Sequence, residues 1–126
     1  MALTVKDMLA AANAAVPRIN QADAAAMIDK GALVVDLRDS AEIAASGKVP
    51  GAVAVSRGLL EFRADPDVPT HDANFRKDRP VIVYCASGGR AALAGKTLLD
   101  MGFDNVRNLG GFKDWAEAGG KVEKAG

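Results

Sequence analysis

Residues 81–90 read VIVYCASGGR: an apolar run, then the chain's only cysteine, then small residues ending on an arginine. VIVY is short, β-branched and uninterrupted, which reads as a strand buried on both faces. The residues beyond it predict a helix from about 89 to 101, stopped by Gly102. Cys85 therefore lies where a strand ends and a helix begins. In open α/β sheets, that carboxyl end is where ligands bind.

Further out, the pattern repeats on both sides. ALVVD, residues 32–36, predicts a second buried strand, and Asp39 with Glu42 has the spacing of a capping box for a short helix to about residue 45. Residues 52–55 predict another strand and 106–109 a fourth, with Gly110-Gly111 as a turn and 112–118 as a last helix. Residues 21–30 have a helical pattern with Asn20 as N-cap and Gly31 just past the end. Val5, Met8, Leu9 and Ala12 recur at helical spacing, so 4–15 predicts an amphipathic helix ended by Pro17. Leu59, Leu60 and Phe62 suggest one helical turn, and the polar stretch 64–80, with its three prolines, a long loop. Short apolar strands alternating with helices imply an α/β fold with a parallel sheet.

The totals narrow the function. At 126 residues, 49% hydrophobic and 25% charged, the chain has the size and composition of one ordinary globular domain. Sixteen basic and sixteen acidic side chains cancel, leaving no net field to favour nucleic acid or an anionic membrane. One cysteine and one histidine exclude an internal disulfide and any zinc site built on several thiolates, so no metal is expected. Lys6 and Asp7 interrupt the N-terminal stretch where a signal peptide needs an apolar core, and no segment has the length of a membrane span. A cytoplasmic, reducing location is expected, where a lone thiol stays usable.

The loop of Ala86, Ser87, Gly88 and Gly89 is small enough to curl around the sulfur with its N–H groups inward. Such a nest, backed by a helix dipole, favours an anion and should make the thiol nucleophilic. The plainer alternative is that Cys85 is a small buried hydrophobe and the glycines only help the chain turn. Arg90 either binds an anion or ties the loop to a carboxylate such as Asp36. Ser87 either donates to the sulfur or is merely small. His71, in the polar loop, reads as a solvated surface residue.

With those residues in view, VIVYCASGGRAALAGKTLLDMGFDNVRNLGGFKDWAEAGGKVE resembles the active-site half of rhodanese-like domains, and LVVDLRDSAEIAASGKVPGAVAV is similar to that family's N-terminal signature. The resemblance covers about residues 19–123, leaving 1–18 as an N-terminal helical extension expected to pack on the domain. It implies a rhodanese-like fold, a five-stranded parallel sheet flanked by helices on both faces. It also implies a sulfurtransferase: the Cys85 thiolate takes sulfane sulfur from thiosulfate or another persulfide and passes it to cyanide, a thiol or a protein acceptor. No metal or organic cofactor is implied. Arg38 matches a position that contacts the substrate anion in some members, and otherwise reads as a salt-bridge partner of Asp36 or Glu42. Phe112 and Trp115 resemble the C-terminal signature and read as core.

Two departures stand out. Lys48 replaces the histidine usual in the family's turn, and Ala86 and Ser87 stand where the members best known for using thiosulfate carry basic side chains. Three rival functions follow from the same residues. A cysteine-loop phosphatase or arsenate reductase needs five residues between cysteine and arginine, whereas CASGGR has four. A non-catalytic interaction module usually lacks the cysteine that this chain keeps; a slow sulfur carrier would keep it.

Overall fold

The computed structural model describes residues 2–124. Helices α1 (Val5–Ala15) and α2 (Gln21–Asp29) lead into β1 (Leu33–Asp36), α3 (Ser40–Ser46) and β2 (Val53–Ala54). A short 3₁₀ turn, Arg57–Leu59, runs into α4 (Leu60–Ala64); the long loop then reaches β3 (Val81–Cys85), α5 (Gly89–Asp100), β4 (Val106–Gly111) and α6 (Phe112–Glu117). The caps expected at Asn20 and at Asp39 with Glu42 both form: the Asn20 side chain accepts from Asp23 N, and the Asp39–Glu42 box closes α3.

The sheet is parallel, in the order β2-β1-β3-β4, and among the described residues it has four strands rather than the five expected. The fifth place, outside β4, is held by a single bridge between Arg18 and Asn108. Ile19 N donates to the Asn108 carbonyl and Asn108 N to the Pro17 carbonyl, and there the pairing stops. Pro17 has no N–H to extend it on one side, and α2 begins at Gln21 on the other. β2 is likewise shorter than 52–55, and Gly110 and Gly111 complete β4 instead of forming a turn. A register shift opposite Val83 and Tyr84 accommodates them.

Strand residues alternate between two cores. Leu33, Val35, Val81, Val83 and Cys85 face one side with Leu60, Ala91, Ala94 and Leu98 from α4 and α5. Val34, Ile82 and Tyr84 face the other with Ala24, Phe112 and Trp115 from α2 and α6. Both faces are thus covered, as continuous apolar strands require. Phe112 and Trp115 are core, as read from the sequence, while His71 is half-buried with Nε2 3.3 Å from the Phe75 carbonyl rather than solvated.

The N-terminal segment belongs to this packing. α1 lies on α5, and Val16 is 1% exposed within the first core. A Cβ on Gly95 would fall 2.9 Å from Val16 Cγ1, so the glycine is what lets the segment come this close to α5. No helix among the described residues is long and apolar enough to cross a membrane.

Candidate active site

Cys85 is the last residue of β3 and only 1% exposed. Its pleat position puts the side chain on the α5 face, where α5 begins four residues later at Gly89. Between them Ala86 and Ser87 are exposed and Gly88 is buried. Gly88 is the N-cap of α5 with φ +103, a left-handed conformation that a side chain would strain. That twist turns its N–H back onto the sulfur, giving an N–H···Sγ contact of 3.0 Å. The thiol thus lies at the positive end of a twelve-residue helix with one backbone donor on it. Of the inward N–H groups expected from the loop, Gly88 is the one that reaches Sγ among the hydrogen bonds of the described residues.

The loop rests on the end of β4. A Cβ on Gly111 would run into the Ala86 carbonyl, and one on Gly88 would come within 3.3 Å of Gly110 Cα. Buried Asn108 fastens the two together: its Nδ2 donates to the Gly88 carbonyl at 3.3 Å and its Oδ1 accepts from Gly110 N at 2.8 Å. Neither Asn108 nor the glycine pair was legible as loop support. The available signal is an asparagine in the middle of a strand, a residue strands disfavour.

Arg90 does tie the loop down, but its carboxylate is Glu42 and not Asp36. The fork donates to both Glu42 oxygens, each at 2.8 Å. The Arg90 hydrogen bond holds the Glu42 carboxyl down at about 2, with the Asp39 backbone N–H adding to it. Arg90 is raised above its ordinary value, chiefly by the same bond against the pull of burial, and the charges of Glu42, Cys85 and Asp39 reinforce it. Glu42 therefore caps α3 and anchors the loop at once; the sequence showed only the cap.

Arg38 is buried, 4% exposed, in an ion pair with Asp36, which is fully buried. Its remaining donors go to Ser46 Oγ and the Gly47 carbonyl, both at 2.7 Å, and its guanidinium stacks on Phe112 at 4.5 Å. Asp36 Oδ2 also accepts from the Tyr84 hydroxyl at 2.6 Å. Burial, with Asp36 beside it, pushes that phenol well above its usual range. Of the two readings of Arg38, the geometry is that of the Asp36 salt bridge, joining the end of β1 to α3. Its guanidinium shares no hydrogen bond with the Cys85 loop. An open cleft lined by Arg38, Ser40, Ile43, Val55, Ser56 and Arg63 lies at the same rim of the sheet. No group of three His, Cys, Asp or Glu side chains among the described residues is arranged to hold a metal ion.

Comparison with known proteins agrees with this layout. Residues 20–118 match the family model described as a rhodanese-like domain. A sulfurtransferase of Allochromatium vinosum is 39% identical over 88 residues, covering 69% of this chain and 74% of that protein. The thiosulfate sulfurtransferase GlpE of Pseudomonas fluorescens is 36% identical over 100 residues, 78% of this chain and 83% of the relative. Among solved structures, a Rhodopseudomonas palustris protein described as of unknown function and a possible tyrosine phosphatase superposes with a TM-score of 0.89 at 41% identity, over 98% of this chain and 96% of its own. A human single-domain sulfurtransferase shares the fold, with a TM-score of 0.70 at 22% identity over 81% of this chain and 96% of its own.

Proposed function

The chain belongs to the rhodanese-like domain family, and from that premise we propose that it is a sulfurtransferase working through a persulfide on Cys85. The observation that carries the reading is the Gly88 N–H donated to Sγ at 3.0 Å, at the N-terminus of α5. The donated N–H and the helix N-terminus direct partial positive charge at the sulfur that would carry the persulfide. In a reducing compartment a lone thiol stays free for such use.

The reaction has two steps. The Cys85 thiolate attacks the outer sulfur of the donor; its S–S bond breaks, and the leaving group departs with the electron pair, as sulfite from thiosulfate or as a thiolate from a persulfide. The Cys85 persulfide anion then gives its outer sulfur to a nucleophile (cyanide, a small thiol or a protein cysteine), and the thiolate returns. No proton need move in either step when thiolate and acceptor are already ionised, so no general base is required. Ala86 and Ser87, exposed in the loop that follows Cys85, and Gly88, Gly89 and Arg90, which shape that loop, form the donor subsite.

The phosphatase reading is kept in view by the description of the Rhodopseudomonas palustris structure. Two features of this chain oppose it. Four residues separate Cys85 from Arg90, a tighter curl than a tetrahedral oxyanion needs. Both ends of the Arg90 fork are committed to Glu42 instead of being free to clamp such an ion. The test is steady-state kinetics with thiosulfate and cyanide, followed by thiocyanate release. Parallel double-reciprocal lines, abolished by Cys85→Ser, are expected. Transfer retained in that variant, or phosphate release from an aryl phosphate without any sulfur transfer, would overturn the reading.

A further inference from the structure

Three arginines stand at the carboxyl ends of β1, β3 and β4, and they are not equivalent. Arg38, after β1, is neutralised by Asp36, and Arg90, closing the β3 loop, by Glu42. Arg18, beside β4, is different. Its Nε donates to the Asn108 carbonyl at 3.2 Å, which spreads the rest of the fork along the end of β4. The Nη2 end lies against Gly110, whose left-handed φ of +93 and missing side chain make room for it. The Nη1 end faces Gly88, 4.0 Å from where a Cβ on that residue would be. Arg18 is exposed, and no carboxylate of the described residues pairs with it. Asp114 of α6 lines the cleft beside it without forming an ion pair.

The loop itself contributes no free cation: Ala86 and Ser87 are neutral and exposed, and Arg90 is spoken for. Arg90 and Cys85 are close enough for the sulfur's charge to act on the guanidinium, and Arg18 approaches the same loop at Gly88 and Gly110. We propose that Arg18, from the segment preceding the family domain, is the residue that gives the Cys85 loop its preference for anionic sulfur donors. This rests on Cys85 being the reacting thiol. Arg18 acts through the field it adds behind Gly88 and Gly110, a positioning role for incoming charge and not a contact with the reacting atoms. An exposed cation one loop away should favour an anion over a neutral molecule of the same size by about threefold at low salt.

The test compares alkylation of Cys85 by iodoacetate and by iodoacetamide, nearly isosteric reagents that differ by one negative charge. At fixed pH the thiolate fraction cancels in the ratio of the two rates, so the ratio reads the field on the incoming group. Arg18→Gln should lower the iodoacetate-to-iodoacetamide ratio about threefold, Arg18→Lys should keep it, and the wild-type ratio should fall toward the Arg18→Gln value as salt is raised. An unchanged ratio in Arg18→Gln, or the same fall in Arg18→Lys, would overturn the proposal, the second by showing that only the guanidinium's hydrogen bonds matter. Unfolding temperatures of the two variants identify any loss of fold before the rates are compared. Alkylation needs only a reachable thiolate, so this experiment judges Arg18 whether or not the protein transfers sulfur.

Discussion

Glu42 serves two elements with one carboxylate, and its titration should be visible in the protein's stability. Its folded value of about 2 lies below the ordinary 4.5, because Arg90 and the Asp39 N–H both favour the charged form. A depressed acid stabilises the fold above its unfolded pKa and loses that contribution as pH falls toward the folded one. The window is therefore roughly pH 4.5 down to 2. The pair is about one-third exposed, with side-chain values of 35% and 36%, so the contribution is about 1 kcal/mol rather than the full linkage value. Urea unfolding of Glu42→Gln should give a midpoint below wild type at neutral pH and converging with it near pH 2. A constant gap across that range would mean that the ion pair contributes nothing. The capping role of Glu42 was legible because it depends on a spacing of three residues. Its pairing with Arg90 spans forty-eight positions, and no local pattern encodes that.

Between elements, the decisive contact is the loop after β3 lying on the glycine end of β4. Gly111 has φ −99, a conformation any residue adopts, so a substitution there tests packing and not backbone strain. Gly111→Ala should push the Ala86 carbonyl away, misplace the Gly88 N–H and slow alkylation of Cys85 by at least several-fold. It should also lower stability by about 1 to 3 kcal/mol through overpacking. Iodoacetamide kinetics beside thermal unfolding separate the two effects; an unaltered rate would show that the loop does not need β4 for its shape. Paired glycines usually make a turn, which is what Gly110-Gly111 suggests locally; here they are required instead by a neighbour that approaches from another part of the chain, which no local pattern encodes.

At the scale of the whole molecule, what could be read in advance was the alternation of short apolar strands with helices, and from it the two-faced parallel sheet. The fifth strand that the family resemblance implies does not form among the described residues. Pro17 and the early start of α2 limit the segment 17–19 to one bridge, a matter of backbone donors that family resemblance does not report. Residues 16–18 carry Val16 into the core and Arg18 to the glycine end of β4, so the N-terminal extension is part of the packing at both. Val16→Ala should therefore cost about 1 to 3 kcal/mol while leaving a single cooperative unfolding transition. Calorimetry checks this: a separate early transition for the N-terminal helix would show that α1 and the sheet unfold independently.

The central claim is that Cys85 carries sulfur, and intact mass spectrometry reads that directly. The purified protein is weighed before and after incubation with thiosulfate or a small-molecule persulfide, with Cys85→Ser treated in parallel. One added sulfur atom in the wild type, absent from the variant and removed by cyanide, is the predicted result. A mass that neither donor changes, in a protein whose Cys85 is still alkylated by iodoacetamide, would contradict it.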